Sequence, residues 1–125
     1  MDRKSHPVLL DSVAAVAPEH AGRVIVTGSH GGASAAAYAR RVPARLYLFN
    51  DAGVGKDEAG VAGLALLEAQ GQPAAAVAHT SARIGVAQDT LESGVLSRVN
   101  AAARALGLAP GLTVAQALAR AMLPE

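Results

Sequence analysis

The chain has 125 residues and no cysteine, enough for one domain and without a disulfide framework, a cysteine-based zinc site or a thiol nucleophile. Its 11 basic and 10 acidic residues leave a formal charge of +1, which points to no nucleic-acid partner. No apolar run reaches the ~18 residues that cross a bilayer, and no basic start followed by an apolar stretch marks a secretory leader, so a cytoplasmic domain with no membrane partner is expected.

Thirty alanines make up nearly half of the hydrophobic residues, so the 27 valines and leucines must carry the core in a chain with two Tyr, one Phe and no Trp. In chain order, Val8 to Val16 reads as a short helix ending near Pro18. Val24-Ile25-Val26-Thr27 is the first apolar run, and Gly28-Ser29-His30-Gly31-Gly32 follows it. Ala33 to Val42 carries alanines and Tyr38 without a breaker until Pro43, a helix. Arg45 to Phe49 is the second run, with Asn50-Asp51-Ala52-Gly53-Val54-Gly55-Lys56 after it. Asp57 to Gln70 repeats Val61, Leu64 and Leu67 at helical spacing, has acids in its first turn and is closed by Gly71. Ala74 to Ala78 is the third run, followed by His79-Thr80-Ser81-Ala82-Arg83-Ile84-Gly85. Asp89 to Leu106 reads as one long helix with a stripe of Leu91, Val95, Val99 and Leu106, with Asn100 on its surface and Gly107 at its end. Thr113 caps a final helix that runs through Ala115, Leu118 and Met122.

Unbroken apolar runs suit strands covered on both faces, and alternation with helices is the βαβ pattern. The expectation is a single α/β domain over residues 1–125. It is a small three-layer α/β/α sandwich on three to four parallel strands, with a Rossmann-like order of elements and right-handed crossovers. So small a sheet leaves edges exposed, and the alanine-rich helices present smooth surfaces. Both argue for a homo-oligomer, in which a neighbouring subunit is able to complete a site.

Ligands bind beyond the carboxyl ends of parallel strands, and the chain concentrates its reactive side chains there. Ser29 and His30 follow the first run, Asn50, Asp51 and Lys56 the second, and His79, Thr80, Ser81 and Arg83 the third. In the first loop, free amides of Gly31, Gly32 and Ala33 at a helix start suit an anion or an oxyanion, whereas a plain tight turn needs only a Ser29 or Ser34 cap. Gly55-Lys56 is not a phosphate loop, because Asn50 stands where its first glycine belongs and Asp57 where Ser or Thr would hold magnesium. No dinucleotide fingerprint occurs either, so no cofactor is expected. Lys56, one of two lysines against nine arginines, is either a functional amine or a solvated loop charge.

His30 is the expected general acid or base, with Lys56, Asp51 or Ser81 assisting. Ser29, Gly31, Gly32, Asn50, His79 and Arg83 are expected to bind, Arg83 by clamping a carboxylate. A two-histidine, one-carboxylate metal site of His30, Asp51 and His79 is an alternative without supporting ligand spacing. The expected activity is acid/base chemistry (hydrolase, isomerase or lyase) on a compact anionic or carbonyl-bearing metabolite. The alternatives are a non-enzymatic small-molecule-binding or regulatory subunit and an oligomeric scaffold. The strand, the Gly28-Ser29-His30-Gly31 turn and the helix after it also resemble the histidine loop of the mannose-type phosphocarrier domains of sugar transport. Over that short stretch, the resemblance implies a carrier phosphorylated on His30.

Overall fold

The computed structural model describes residues 6–122. Five strands form one sheet in the order β1 (Val8–Leu10), β2 (Val24–His30), β3 (Leu46–Asn50), β4 (Ala74–Val77) and β5 (Leu96–Val99). The first four are parallel and β5 runs antiparallel to β4. Helices α1 (Ala33–Ala39), α2 (Ala62–Glu68), α3 (Ala87–Ser93), α4 (Ala101–Ala105) and α5 (Val114–Ala121) complete the sandwich. Among the described residues, no helix is long and apolar enough to cross a membrane.

Side chains alternate between the two faces of the sheet, and each set has its own core. Ile25, Tyr47, Phe49, Ala74 and Ala76 face a layer containing Val13, Ala35, Ala36, Ala39, Leu64 and Leu67. Val24, Val26, Leu46, Leu48, Ala75 and Val77 face Ala103, Leu108, Val114, Ala117 and Ala121. Strands β1 to β4 are laid down in one direction and all their connections lie on the first face. Their crossovers therefore share one hand, as expected for βαβ units. After β4 the chain changes sides: Ala82 and Leu91, from the loop and α3, join the second core.

The three apolar runs are β2, β3 and β4. The helix expected from Asp57 begins only at Ala62, because Asp57 and Glu58 take left-handed backbone within the 3-10 turn Lys56–Val61 and so form no first turn. Two other expected helices are broken, and each break adds a strand. Val8–Leu10 forms β1, with a 3-10 turn at Val13–Ala15, because the segment pairs with Ile25 to Thr27 and too few residues follow for a helix. The expected helix from Asp89 to Leu106 divides into α3, β5 and α4. Its interruption is Gly94, where a Cβ would lie 2.5 Å from the Thr90 carbonyl oxygen and 2.8 Å from Val77 Cγ1, so the backbone turns sharply against β4. Asn100, expected on the helix surface, is instead 5% exposed and caps α4. Its Oδ1 accepts from the Ala74 and Ala103 amides, and its Nδ2 donates to the Leu64 and Gln72 carbonyls. All four of its hydrogen-bonding positions are filled.

The Tyr47 and Phe49 rings stack in the first core, 5.8 Å apart and 7° from parallel. The Tyr47 hydroxyl donates to the Val42 carbonyl at 2.7 Å, tying the end of the α1 segment to the sheet. Burial pushes its pKa up to about 12, from 10.0. A group whose native pKa is raised contributes stability below its unfolded pKa and loses it as pH climbs through the native value. Y47F is expected to cost about 1–2 kcal/mol at neutral pH through the orphaned carbonyl. Denaturant titrations should show this deficit shrinking between pH 10 and about 12 as the wild type alone loses stability.

Candidate functional site

The carboxyl ends of β2, β3 and β4 lie side by side: His30 is registered with Asn50, and Asn50 with Val77. A register shift between Val26 and His30 interrupts β2. Within it, the Thr27 hydroxyl donates to the Leu48 carbonyl, and Ser29 Oγ accepts from the Val13 amide at 2.8 Å. Ser29 Oγ is thus engaged with the connection between β1 and β2, and it does not cap α1, whose N-cap is Gly32.

The glycine pair after His30 is a packing surface. The Gly31 amide donates to the Asn50 carbonyl and the Gly32 amide to His30 Nδ1, at 3.1 Å each. The Gly63 amide, at the start of α2, donates to the Gly31 carbonyl at 2.8 Å. A Cβ on Gly63 would lie 2.3 Å from the Gly32 carbonyl oxygen, so glycine is required for α2 to close on this loop. The expectation of free Gly31 and Gly32 amides for an anion is thus corrected: both are spent inside the protein.

Asn50 and Asp51 have different duties. Asn50 is fully buried; its Nδ2 donates to the Ala82 carbonyl and its Oδ1 accepts from the Ala52 amide, which leaves it a structural brace rather than a binding group. Asp51 is 4% exposed and gathers donors from three directions. Oδ1 accepts from the Gly53 amide at 2.8 Å and the His79 amide at 3.0 Å, and His79 Nδ1 lies 3.3 Å away. Oδ2 accepts from the Ser97 hydroxyl at 2.6 Å. Burial alone pushes the carboxyl pKa up, but the Ser97 hydroxyl, the two amides and the His79 ring outweigh it and hold it below the ordinary value. Because the ionised carboxylate offers only acceptors, the facing Nδ1 of His79 is the nitrogen that carries the proton of the neutral ring, which puts that ring's lone pair on Nε2. The His79 side chain is 55% exposed, and its ring lies over Gly53, where a Cβ would be 3.6 Å from Cε1.

The remaining candidates stand apart from this pair. Ser81 Oγ donates to the Ala78 carbonyl at 2.7 Å and accepts from the Val95 amide, so its proton faces a carbonyl rather than a base, which corrects the nucleophile expectation. Arg83 is exposed; its backbone amide is held by Asp89 Oδ2, and its side chain lines an open groove of about 320 Å³ with Val86, Gln88, Asp89 and Glu92. Lys56 is exposed at the start of the 3-10 turn Lys56–Val61 and makes no ion pair among the described residues. Two residues further on, Glu58 pairs with Arg98 at 3.1 Å. Among the described residues, no three His, Cys, Asp or Glu side chains gather as metal ligands, so His30, Asp51 and His79 form no such cluster.

Sequence reasoning missed Ser97 because the segment read as helix. The signal was present: Gly94 interrupts the stripe, and Asn100 before a run of alanines is a helix start. The topology also selects the His79–Asp51 position. The chain after β3 packs on the first face and the chain after β4 on the second, and it is beyond strand ends whose connections diverge in this way that α/β sheets bind ligands. Comparison with protein-family models, with curated proteins and with solved structures returns no match for the chain.

Because the native pKa of Asp51 is depressed, its contribution to stability is present above the unfolded carboxylate pKa and disappears as pH falls through the native one. D51N is expected to lower stability by about 2 kcal/mol at neutral pH. Melting temperatures taken across the acid range should show wild type and variant converging.

Proposed function

We propose that the domain is a small cytoplasmic enzyme acting on a compact anionic or carbonyl-bearing metabolite by acid/base chemistry at the carboxyl ends of its strands. His79 is the general acid/base, Asp51 orients it, and Ser97 positions Asp51. The observation that carries this reading is a buried carboxylate, held below its ordinary pKa, facing one nitrogen of a solvent-exposed imidazole just past the ends of β3 and β4. A carboxylate in that position fixes the tautomer and stabilises the imidazolium that forms when Nε2 takes a proton. Hydrolase, isomerase and lyase reactions all use such a pair. His79 thus takes the role that spacing assigned to His30, while Asn50, Ser29 and Ser81 support the backbone around it.

A non-enzymatic binding subunit is the second reading, favoured by the exposure of His30. The two separate in a panel of small carboxylates, phosphates, esters and carbonyl compounds scored for both melting shift and turnover. The enzyme reading expects turnover that falls about 100-fold or more in H79A and several-fold in S97A. Melting shifts without turnover would favour the binding subunit, and unchanged turnover in H79A would remove His79 from the chemistry.

The domain is further proposed to act as a homo-oligomer. Strand β1 is an edge with Leu9 38% exposed, and Tyr38 and Leu66 stand out on α1 and α2, whereas the 111–113 segment bonds to the β5 edge. Light scattering at micromolar concentration is expected to return a multiple of the chain mass; a monomer mass would refute it.

A further inference from the structure

Resting on the acid/base reading above, we infer that His30 and His79 act as a complementary pair of imidazoles, and that the substrate class is a small carbonyl compound with a hydrogen on the carbon beside the carbonyl. The hydrogen bonds set the two rings oppositely. The Gly32 amide donates to His30 Nδ1 at 3.1 Å, so in the neutral ring the proton sits on Nε2. His79 turns its Nδ1 towards Asp51, so in the neutral ring the lone pair is on Nε2. One ring offers an N–H and the other a lone pair, the two groups that enolisation needs.

Their positions suit that division. Through Asn50, His30 is level with Val77, two residues before His79. The ends of β2 and β4 are two strand spacings apart, about 10 Å, a gap that reaching side chains and a compact substrate can fill. Both rings are exposed, and the segment after β3 reaches from the His79 ring to the glycines that follow His30. Residue Gly53 lies against His79, while the Ala59 and Gly60 carbonyls close on Gly32 and Gly31. Within that segment Ala52, Val54, Asp57 and Glu58 all have positive φ. A β-branched residue such as Val54 seldom adopts this, and such backbone persists where surrounding structure enforces it.

The step balances without a co-reactant. His79 Nε2 takes the proton from the carbon beside the carbonyl, and the C–H electron pair becomes the C=C bond of an enolate. The carbonyl π pair moves to oxygen, where the His30 Nε2–H group holds it by a hydrogen bond. The proton returns from His79 to the same carbon or, after the enediol redistributes its own hydrogen, to its neighbour. No net oxidation occurs.

The test is hydrogen–deuterium exchange in D2O, followed by proton NMR with pyruvate, oxaloacetate, glyceraldehyde phosphate and dihydroxyacetone phosphate as probes. Wild type is expected to speed loss of the C–H signal of at least one probe. H79A should lower that rate about 100-fold or more, and H30A about 10- to 100-fold. Both rings are exposed, so circular dichroism and melting temperature should show both variants folded. Exchange at the wild-type rate in H30A overturns the pair. No exchange with any probe, alongside His79-dependent turnover of another kind, overturns the inference and leaves the acid/base reading standing. Neither exchange nor His79-dependent turnover overturns both.

Discussion

A carboxylate withdrawn from water must be met by donors, and the way Asp51 is met organises one end of this molecule. An uncompensated buried charge is more costly than the whole margin of stability of a small domain. The donors that compensate it come from separate stretches of chain: a turn amide, an amide and a ring just past β4, and a hydroxyl on β5. There are three such stretches, so satisfying one side chain fixes the relative height of the ends of β3, β4 and β5 at the polar rim. The geometry around His79 follows from that requirement.

The rest of the sheet is organised by size rather than charge. Three alanines and a valine make β4, all fully buried, between a strand carrying stacked Tyr47 and Phe49 and a strand carrying Leu96 and Ser97. Small side chains at the centre let α2 and α4 approach from both sides. The glycines at 31, 32 and 63 do the same at the mouth, where backbone rests on backbone. A chain so rich in alanine builds its core by close approach instead of bulk.

What could be read from the residues follows from this division. The three inner parallel strands were legible, because Val24 to Thr27, Arg45 to Phe49 and Ala74 to Ala78 are apolar runs followed by loops, whereas the edge strand β1 reads as a short helix, its three residues being too few to show a strand period. Also legible were α1, α5 with Thr113 at its cap, and the later part of the Asp57–Gln70 segment, though its expected first turn is not helical. The last strand was not legible, since Leu91, Val95 and Val99 fall at helical spacing by coincidence and outweigh the local signals of Gly94 and Asn100; packing of Gly94 against Val77 enforces the break. In the site, the grouping of polar residues at one pole was visible, but their allocation was not. Whether a serine or an amide near a strand end faces solvent or a neighbouring carbonyl depends on where the backbone passes. Ser29, Asn50 and Ser81 all turned inward to it. Asp51 and His79 were named as candidates, but their pairing needed Ser97, which lay within the misread segment.

The strand order has a temporal side. A sheet that adds its strands one after another in a single direction can grow as the chain leaves the ribosome, each new βα unit docking on the one before it. The antiparallel last strand breaks this sequence. Until Ser97 has emerged, the carboxylate on β3 lacks one of its donors, and until Val95 emerges the Ser81 hydroxyl lacks its backbone amide. During synthesis, the hydrophobic framework of the parallel strands can therefore stand before the polar rim around Asp51 is able to close.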